Sequence, residues 1–264
     1  MTMASGYSGV LSSAGGVQPA GPPPRRSASI RRAAWVGIAA QVIFVASFLA
    51  AASWQGPRYS VLKHSISEMY AVTAPHAMFL VIVLTLCGAA TIWFALRSVW
   101  PVLRPGGRAA TVGSFLLVLS VGGLGDLLTP FERVACRMAD PGCTTAKMIS
   151  NSGGKLDQNL TTIGVLLLVA AGFFLAHAMR RISSWQAWAW PTRWTAVLIL
   201  VLAVANIPHS GLGGLFERLL AATMAAAVAA LAAGILRRSP NRASPKPDHT
   251  PAAAPQPPSP AVTR

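Results

Sequence analysis

Four side chains capable of acid–base or metal chemistry lie in or beside long apolar stretches: His64, Glu68, Asp126 and His209. His64 and Glu68 are one helical turn apart, so in a helix both side chains reach a common ion or proton. Such a set can bind a metal, or act as acid and base on a lipid or envelope substrate. All four are candidate catalytic residues, and His64, Glu68 and Asp126 are candidate ligands of a divalent transition metal.

The segment around this pair, SVLKHSISEMYAVTAPH, also carries an apolar helical pattern. Its apolar positions fall on one helical face: Leu62, Ile66, Met69 and Tyr70. This pattern predicts a helix that lies at the membrane surface or re-enters it. The alternative is a capping box from Ser65 to Glu68, in which the glutamate only caps a turn and His64 is only solvated.

Asp126 is the carboxylate that is hardest to explain without a function. It follows 17 uncharged residues, and a carboxylate within a membrane span is costly unless it is paired or faces an interior cavity. We expect it a few Å below the end of its helix, with Arg218 as its charged partner. The alternatives are an aspartate that reaches water at the membrane surface and an arginine that only binds lipid headgroups.

Two of the three cysteines flank a short polar segment. Cys136 and Cys143 enclose RMADPG, in which Pro141 and Gly142 predict a turn. A disulfide that closes this turn fits an oxidising outer face, and we predict it. The alternative is a metal-binding pair, but such pairs usually have closer spacing and further ligands nearby. Cys87 lies within an apolar stretch and is expected to be a packing residue.

These residues are positioned by apolar blocks long enough to cross a membrane. The chain has 264 residues, of which 53% are hydrophobic and 11% are charged, whereas soluble domains have about 25% charged residues. Six spans are predicted: residues 34–54, 77–96, 109–128, 159–179, 194–208 and 215–236. The fifth is short, and it crosses only with the help of the Trp-rich run 185–190 or in a thinned bilayer. Asp157 is expected to cap the fourth.

The sequence thus predicts an all-α bundle of six transmembrane helices, residues 33–237, between two tails. Residues 1–32 are rich in Gly, Ser, Ala and Pro, and residues 238–264 are rich in Pro. Both compositions are typical of disordered segments. The net charge of +15 requires no nucleic acid as a partner, because Lys and Arg gather between the spans. The expected partner is the lipid bilayer.

Lys and Arg divide unequally between the two sides of the predicted bundle. The tails and the connections 97–108 and 180–193 carry 15 of them, and the connections on the other side carry 7. By the positive-inside rule, both termini are predicted to lie in the cytoplasm, with the candidate site and the disulfide outside. The alternative is a signal peptide cleaved near Ala52, which accommodates the charge pattern less simply.

Three segments carry a resemblance to a known family: YSVLKHSISEMYAVTAPH after the first span, GLGDLLTPFE after the third and GLFERLL opening the last. Over residues 33–237 the chain resembles the six-helix prokaryotic membrane proteins catalogued as domain of unknown function 998. The resemblance implies a multi-pass protein of the bacterial cytoplasmic membrane and no established reaction. Such proteins are expected to have a histidine where this sequence has Asp157 and Gln158, which argues against a three-histidine metal site.

The sequence therefore predicts an integral membrane protein with an outward-facing polar site centred on His64, Glu68 and Asp126, with a lipid-binding or structural role. The alternative is a membrane-embedded, metal-dependent hydrolase of a lipid or envelope substrate, although no HExxH or GxSxG motif is present. A transporter is less favoured, because no ionisable residue or broken helix is predicted near the bilayer midplane. Small residues such as Gly113 and Gly122 would let helices pack closely within the bundle or between copies in a homo-oligomer.

Overall fold

The computed structural model describes residues 24–206 and 211–238 of the chain. Helix is the only regular secondary structure among these residues. Six helical segments are long and apolar enough to cross a membrane, and we label them α1 to α6: Ser27–Ala52, Ala77–Gly106, Arg108–Leu128, Ser152–Arg180, Ser183–Ala205 and Gly213–Arg238. The predicted all-α architecture with six spans is confirmed.

The six helices form a ring in chain order. Each helix contacts the next one along the chain, and α6 packs against α1. We call one end of the ring the loop end, because it carries the long connections 53–76 and 129–151. The opposite end is called the basic end, and there α2 joins α3, and α4 joins α5, through very short connections. Such short connections make consecutive helices antiparallel neighbours.

The helices extend further at the basic end than predicted. Helical structure before α1 begins at Pro24, inside the predicted tail, because proline suits the first helical position and the arginines and alanines that follow favour helix. α2 continues through the predicted loop to Gly106, by way of a π-helical turn at Ala95–Val99. α5 includes the Trp-rich run, which gives it the length to cross. The rest of both tails lies outside the described residues.

The surface helix predicted for residues 60–76 is not formed. The segment folds as a series of turns with one 3₁₀ turn at Ser67–Tyr70. Three of its four patterned apolar side chains are buried: Ile66, Met69 and Tyr70. Leu62 remains exposed. Serine hydroxyls and the Glu68 carboxylate bind nearby backbone groups, and such local hydrogen bonds compete with helix formation.

α3 is interrupted in its second half. Regular helix ends at Leu119, and Ser120 has an extended backbone with φ −68° and ψ 171°. A π-helical turn covers Val121–Gly125, and α-helix resumes only at Asp126–Leu128. The tight turn requires Gly123, because an added Cβ there would lie 2.3 Å from the carbonyl oxygen of Val118. Irregular backbone at membrane depth is tolerated where it is buried in protein or lines a cavity.

The start of α4 differs from the prediction. The side-chain oxygen of Asn151 accepts a hydrogen bond from the N–H of Gly154 at 2.8 Å. Asn151 is therefore the N-cap, and the prediction that Asp157 caps this helix is wrong. Because the helix begins at Ser152, Asp157 lies in its second turn and faces the interior of the loop end.

Two apolar cores fill the ring. One lies at the loop end and contains Phe48, Leu80 and Leu84. The larger one extends from the middle of the ring to the basic end and contains Phe94 and Met179. Burial of a side chain of this size contributes about 1.5–3 kcal/mol. The polar side chains described next lie above and between these cores.

Candidate functional site

Arg218, near the start of α6, holds the connection 53–76 in place. Its Nη1 donates hydrogen bonds to the carbonyl oxygens of Val61 at 2.7 Å and His64 at 2.9 Å. Its Nη2 donates to the hydroxyl of Tyr59. Burial raises the pKa of Tyr59 to about 12, although the guanidinium opposes this shift. The phenol therefore stays neutral and accepts this hydrogen bond at ordinary pH.

The neighbouring residues of α6 complete this contact. A carboxylate oxygen of Glu217 accepts a hydrogen bond from the backbone N–H of Ile66 at 3.0 Å. The helix approaches the connection so closely that a Cβ on Gly214 would lie 2.3 Å from the carbonyl oxygen of His64. Glu217 and Arg218 thus bind backbone groups of the connection 53–76. Gly214 leaves the space that this close approach requires.

The predicted pairing of Arg218 with Asp126 is wrong. The guanidinium is occupied by carbonyl groups at the loop end, because the connection 53–76 folds over the start of α6. Among the described residues, a salt bridge forms only between Arg137 and Asp140, at 2.6 Å. Asp126 lies deeper in the ring, as described below.

Glu68 adopts the capping-box alternative. Its Oε1 accepts from the N–H of Ser65 at 3.2 Å, and its own N–H donates to the Ser65 hydroxyl at 3.3 Å. Its Oε2 accepts from the N–H of Met138 at 2.7 Å. Glu68 is only 3% exposed. Both carboxylate oxygens therefore join the backbones of the two long connections, and neither is left to share an ion with His64.

His64 also has a local role. Its Nδ1 accepts a hydrogen bond from the N–H of Ser60 at 2.9 Å, and its ring packs on Tyr59 with the ring centroids 5.2 Å apart. His64, Glu68 and Asp126 are not brought together as ligands. In the part of the chain that the structure describes, no three His, Cys, Asp or Glu side chains form a group that could hold a metal. His209 lies outside that part.

The second long connection contains the disulfide. The structure joins Cys136 to Cys143, with the Cα atoms 6.2 Å apart. The salt bridge of Arg137 with Asp140 lies inside the same loop. Although burial opposes the shift, hydrogen bonds from Arg137 and Thr73 lower the pKa of Asp140 below its usual value. Arg137 also donates to the carbonyl oxygen of Gln55 at 3.0 Å, so the loop that the disulfide closes is held against the first connection.

A group of buried polar side chains that the sequence did not predict lies beneath the loops. The hydroxyl of Tyr70 donates to Asp157 at 3.1 Å. Glu132 is only 4% exposed, and its Oε1 has no hydrogen-bond partner within the described residues. Burial, and then the negative charges of Asp157 and Asp126, raise the pKa of Glu132 to about 8. Burial and neighbouring carboxylates likewise hold the pKa of Tyr70 well above its usual value.

Glu132→Gln is expected to remove a pH dependence of stability. Because the pKa of Glu132 is about 8 in the folded protein against 4.5 ordinarily, the folded chain keeps a proton that the unfolded chain releases between these values. This stabilisation is complete below about pH 4.5 and is lost as the pH rises to about 8. We expect the wild type to lose up to about 5 kcal/mol across this range beyond any loss in the variant, measured by equilibrium unfolding in detergent.

Asp140→Asn is the matched control for this experiment. The pKa of Asp140 is lowered, so its contribution is present above its unfolded pKa and is lost only as the pH falls into the acid range. The replacement of Asp140 should leave the slope of the unfolding free energy against pH unchanged between pH 5 and 8. Equal slopes in the wild type and in Glu132→Gln would show that Glu132 does not hold the proton.

Asp126 lies near the middle of the membrane thickness. The nearest part of α2 is Gly88, whose added Cβ would lie 2.4 Å from the N atom of Leu127 and 2.9 Å from the carbonyl carbon of Asp126. Gly88 is about 16 Å along α2 from its start at Ala77, in a bilayer core of about 30 Å. The carboxylate is thus deeper than predicted, because α3 is interrupted and residues 129–134 return to the loop end without helix.

Asp126 lines a small cavity at the centre of the ring. The cavity has a volume of about 40 Å³, and its other polar lining residues are Gln41, Thr91 and Ser120. The side-chain nitrogen of Gln41 donates to the hydroxyl of Thr91 at 3.0 Å. Among the described residues, no salt bridge and no hydrogen bond reaches the carboxylate of Asp126. The rest of the lining is apolar, from α1, α3, α4 and α6.

The carboxyl groups of Asp126, Glu132 and Asp157 are close enough to influence one another electrostatically. Asp126 interacts electrostatically with Glu132, and Glu132 with Asp157, whose carboxylate accepts the hydrogen bond of Tyr70. We call Asp126, Glu132, Asp157 and Tyr70 the row of acidic groups, in which a hydrogen bond joins Tyr70 to Asp157.

Comparison with protein-family models, curated proteins and solved structures finds no match for this chain.

Proposed function

We propose that this protein binds a monovalent cation, H⁺ or Na⁺, at Asp126, and that it uses this site in cation-coupled transport across the membrane. The observation that carries the proposal is an unpaired carboxylate beside an interrupted helix near the middle of the membrane thickness. Interrupted helices at the midplane form the ion sites of many secondary transporters. An ionisable side chain within the membrane is by default a functional residue.

The chemistry of the cavity suits a small cation. The carboxylate of Asp126 and the side-chain oxygens of Gln41 and Ser120 are hard ligands of the kind that bind alkali and alkaline-earth ions. A proton serves the same purpose, since it neutralises a carboxylate that has no other partner. The volume of about 40 Å³ accommodates one ion with a little water and excludes larger solutes.

The row of acidic groups supports access from the loop end. Glu132 has an unpaired carboxylate oxygen between the cavity and the loops. Asp157 and Tyr70 continue the row toward the surface. Chains of this kind relay protons in membrane transporters. Within the described residues, His64 and Glu68 bind backbone groups and are not brought together as the ligands of a metal-dependent hydrolase.

We further propose that the protein lies in the bacterial cytoplasmic membrane with both termini cytoplasmic and the loop end outside. The excess of Lys and Arg at the basic end supports this orientation, and the disulfide at the loop end suits an oxidising compartment. Membership of the family catalogued as domain of unknown function 998 is proposed on two segments, HSISE and GLFER, that contact each other.

The orientation is tested with the cysteines. In a Cys87→Ala background, reduction followed by a membrane-impermeant thiol reagent should label Cys136 and Cys143 on intact cells, because both lie in a loop-end connection. Protection of both thiols until the cells are lysed would place the loop end in the cytoplasm and reverse the orientation.

The cation site is tested by the unfolding temperature of the detergent-purified chain. NaCl, KCl and choline chloride are compared at constant ionic strength from pH 5 to 9. We expect either Na⁺ or acidic pH to raise the unfolding temperature of the wild type, since ligands that bind only the folded state stabilise it. In Asp126→Asn the response to Na⁺ should disappear and the response to pH should become smaller, because Glu132 keeps its own pH dependence. Asp140→Asn, a matched carboxyl-to-amide change outside the membrane, should retain the response.

The two cations give different outcomes. A response to Na⁺ at fixed pH identifies a sodium site. A response to pH that is the same in all three salts, and that is larger in the wild type than in Asp126→Asn, identifies a proton site. The proposal is refuted if Asp126→Asn and the wild type respond identically to both.

A further inference from the structure

An open groove lies between α4 and α5 near the basic end. The groove has a volume of about 800 Å³, and its polar and aromatic lining comes from two facing helical stripes: Phe173, His177 and Arg180 on α4, and Gln186, Trp190 and Arg193 on α5. Spacings of three and four residues place each stripe on one face of its helix. Gln186 donates to the carbonyl oxygen of Arg180 at 3.3 Å, which joins the two helices at the end of the groove.

The groove carries positive charge without a counter-charge. Within residues 24–206 and 211–238, every carboxylate lies at the loop end or in the central cavity: Glu68, Asp126, Glu132, Asp140, Asp157 and Glu217. Arg180 and Arg193 therefore have no acidic partner in the described chain. Arg180 and Arg193 are both exposed, so their guanidinium groups are open to an anion from outside the protein.

We propose that this groove binds the phosphate headgroup of an anionic phospholipid. Guanidinium groups bind phosphate oxygens in pairs of charge-assisted hydrogen bonds, and basic pockets between transmembrane helices bind anionic headgroups. This site is separate from the cation site, which lies in the middle of the ring.

The aromatic residues favour a lipid over free phosphate. Trp190 is 69% exposed, and its ring packs on Trp194 with the centroids 5.7 Å apart. Exposed tryptophans of this kind are typical of the interface between headgroups and acyl chains. Phe173, also exposed, lies on the side of the groove that faces the membrane core. The groove thus offers cations to a headgroup and an apolar surface to the first part of an acyl chain.

The proposal is tested by titrating the detergent-purified full chain with short-chain phosphatidylglycerol, short-chain phosphatidylcholine or inorganic phosphate, and following the unfolding temperature. We expect phosphatidylglycerol to bind the wild type at least about tenfold more tightly than phosphatidylcholine. Arg180→Gln with Arg193→Gln should abolish this preference. Arg108→Gln, which removes an exposed arginine at the same end but outside the groove, should retain it.

Two results would overturn the proposal. If the double variant keeps the preference for phosphatidylglycerol, the lipid binds elsewhere. If inorganic phosphate raises the unfolding temperature as much as the anionic lipid does, the groove is a site for free phosphate and the lipid assignment is wrong. Each variant must first show the same unfolding transition as the wild type in phosphatidylcholine. If the double variant does not fold, the single variant Arg193→Gln is used in its place.

Discussion

Arg218→Met is expected to destabilise the protein by about 3–5 kcal/mol, the largest effect of any single change at the loop end. The guanidinium donates to three backbone carbonyl groups and to the hydroxyl of Tyr59. Hydrogen bonds to charged groups contribute about 1.5–3 kcal/mol each, and removing the charge leaves partly buried acceptors unpaired. Methionine keeps the unbranched stem of the side chain and removes the guanidinium group, so the measured loss reports mainly the hydrogen bonds of that group.

Equilibrium unfolding in detergent measures this effect, with Arg58→Met as the matched control. Arg58 belongs to the connection that Arg218 holds, but it is exposed, so its replacement should change stability by less than about 0.5 kcal/mol. Arg218→Lys is expected to fall between the two, because an ammonium group cannot reproduce the planar donor fork. Similar losses in Arg218→Met and Arg58→Met would show that the contact does not fix the loop.

Asp126→Asn is expected to have the opposite effect: it should stabilise the fold, and it should abolish the response to Na⁺ or reduce the response to pH. The carboxylate has no hydrogen bond or salt bridge in the described chain, and an unpaired carboxyl group at membrane depth is costly. Asparagine has nearly the same shape and no charge. In choline chloride at pH 9 we expect its unfolding temperature to exceed that of the wild type by about 2–4 °C, which corresponds to about 1 kcal/mol.

The direction of this change in unfolding temperature distinguishes a functional carboxylate from a structural one. A residue kept for packing or pairing loses stability when it is changed, whereas a residue kept for function is often unfavourable for folding. Thr91→Val serves as the comparison, because it removes the hydrogen bond with Gln41 in the same cavity and should therefore destabilise. A fall in the unfolding temperature of Asp126→Asn under these conditions would mean that the carboxylate has a partner and a structural role.

The spans and the disulfide could be predicted because their signals are local. Long uncharged blocks decide membrane insertion on their own, and the turn at Pro141 and Gly142 brings Cys136 and Cys143 together within one short segment. The capping box was recognisable for the same reason, since Ser65 and Glu68 are three residues apart. The local pattern could not show whether Glu68 also binds an ion. Its second carboxylate oxygen accepts a hydrogen bond from Met138, which belongs to a different connection.

The site at Asp126 could not be predicted, because it depends on contacts between residues that are far apart in the sequence. The depth of Asp126 follows from the interruption at Ser120 and from the glycine of α2 against which the chain packs. The sequence VGGLG is rich in glycine, and this was the available sign that a helix could break there. The pairing of Tyr70 with Asp157 joins residues 87 positions apart. Arg218 was assigned to Asp126 by charge alone, whereas its terminal nitrogens bind backbone carbonyl groups and the hydroxyl of Tyr59.

The most direct measurement is infrared difference spectroscopy of the purified chain, recorded as the pH is raised and as Na⁺ is added at fixed pH. This method detects the C=O stretch of a protonated carboxyl group and the carboxylate bands of an ion-bound one. We expect a carboxyl signal that changes in one of these titrations in the wild type and is absent from Asp126→Asn, with the signal of Glu132 removed separately in Glu132→Gln. Identical difference spectra for the wild type and Asp126→Asn in both titrations would contradict a cation site at Asp126.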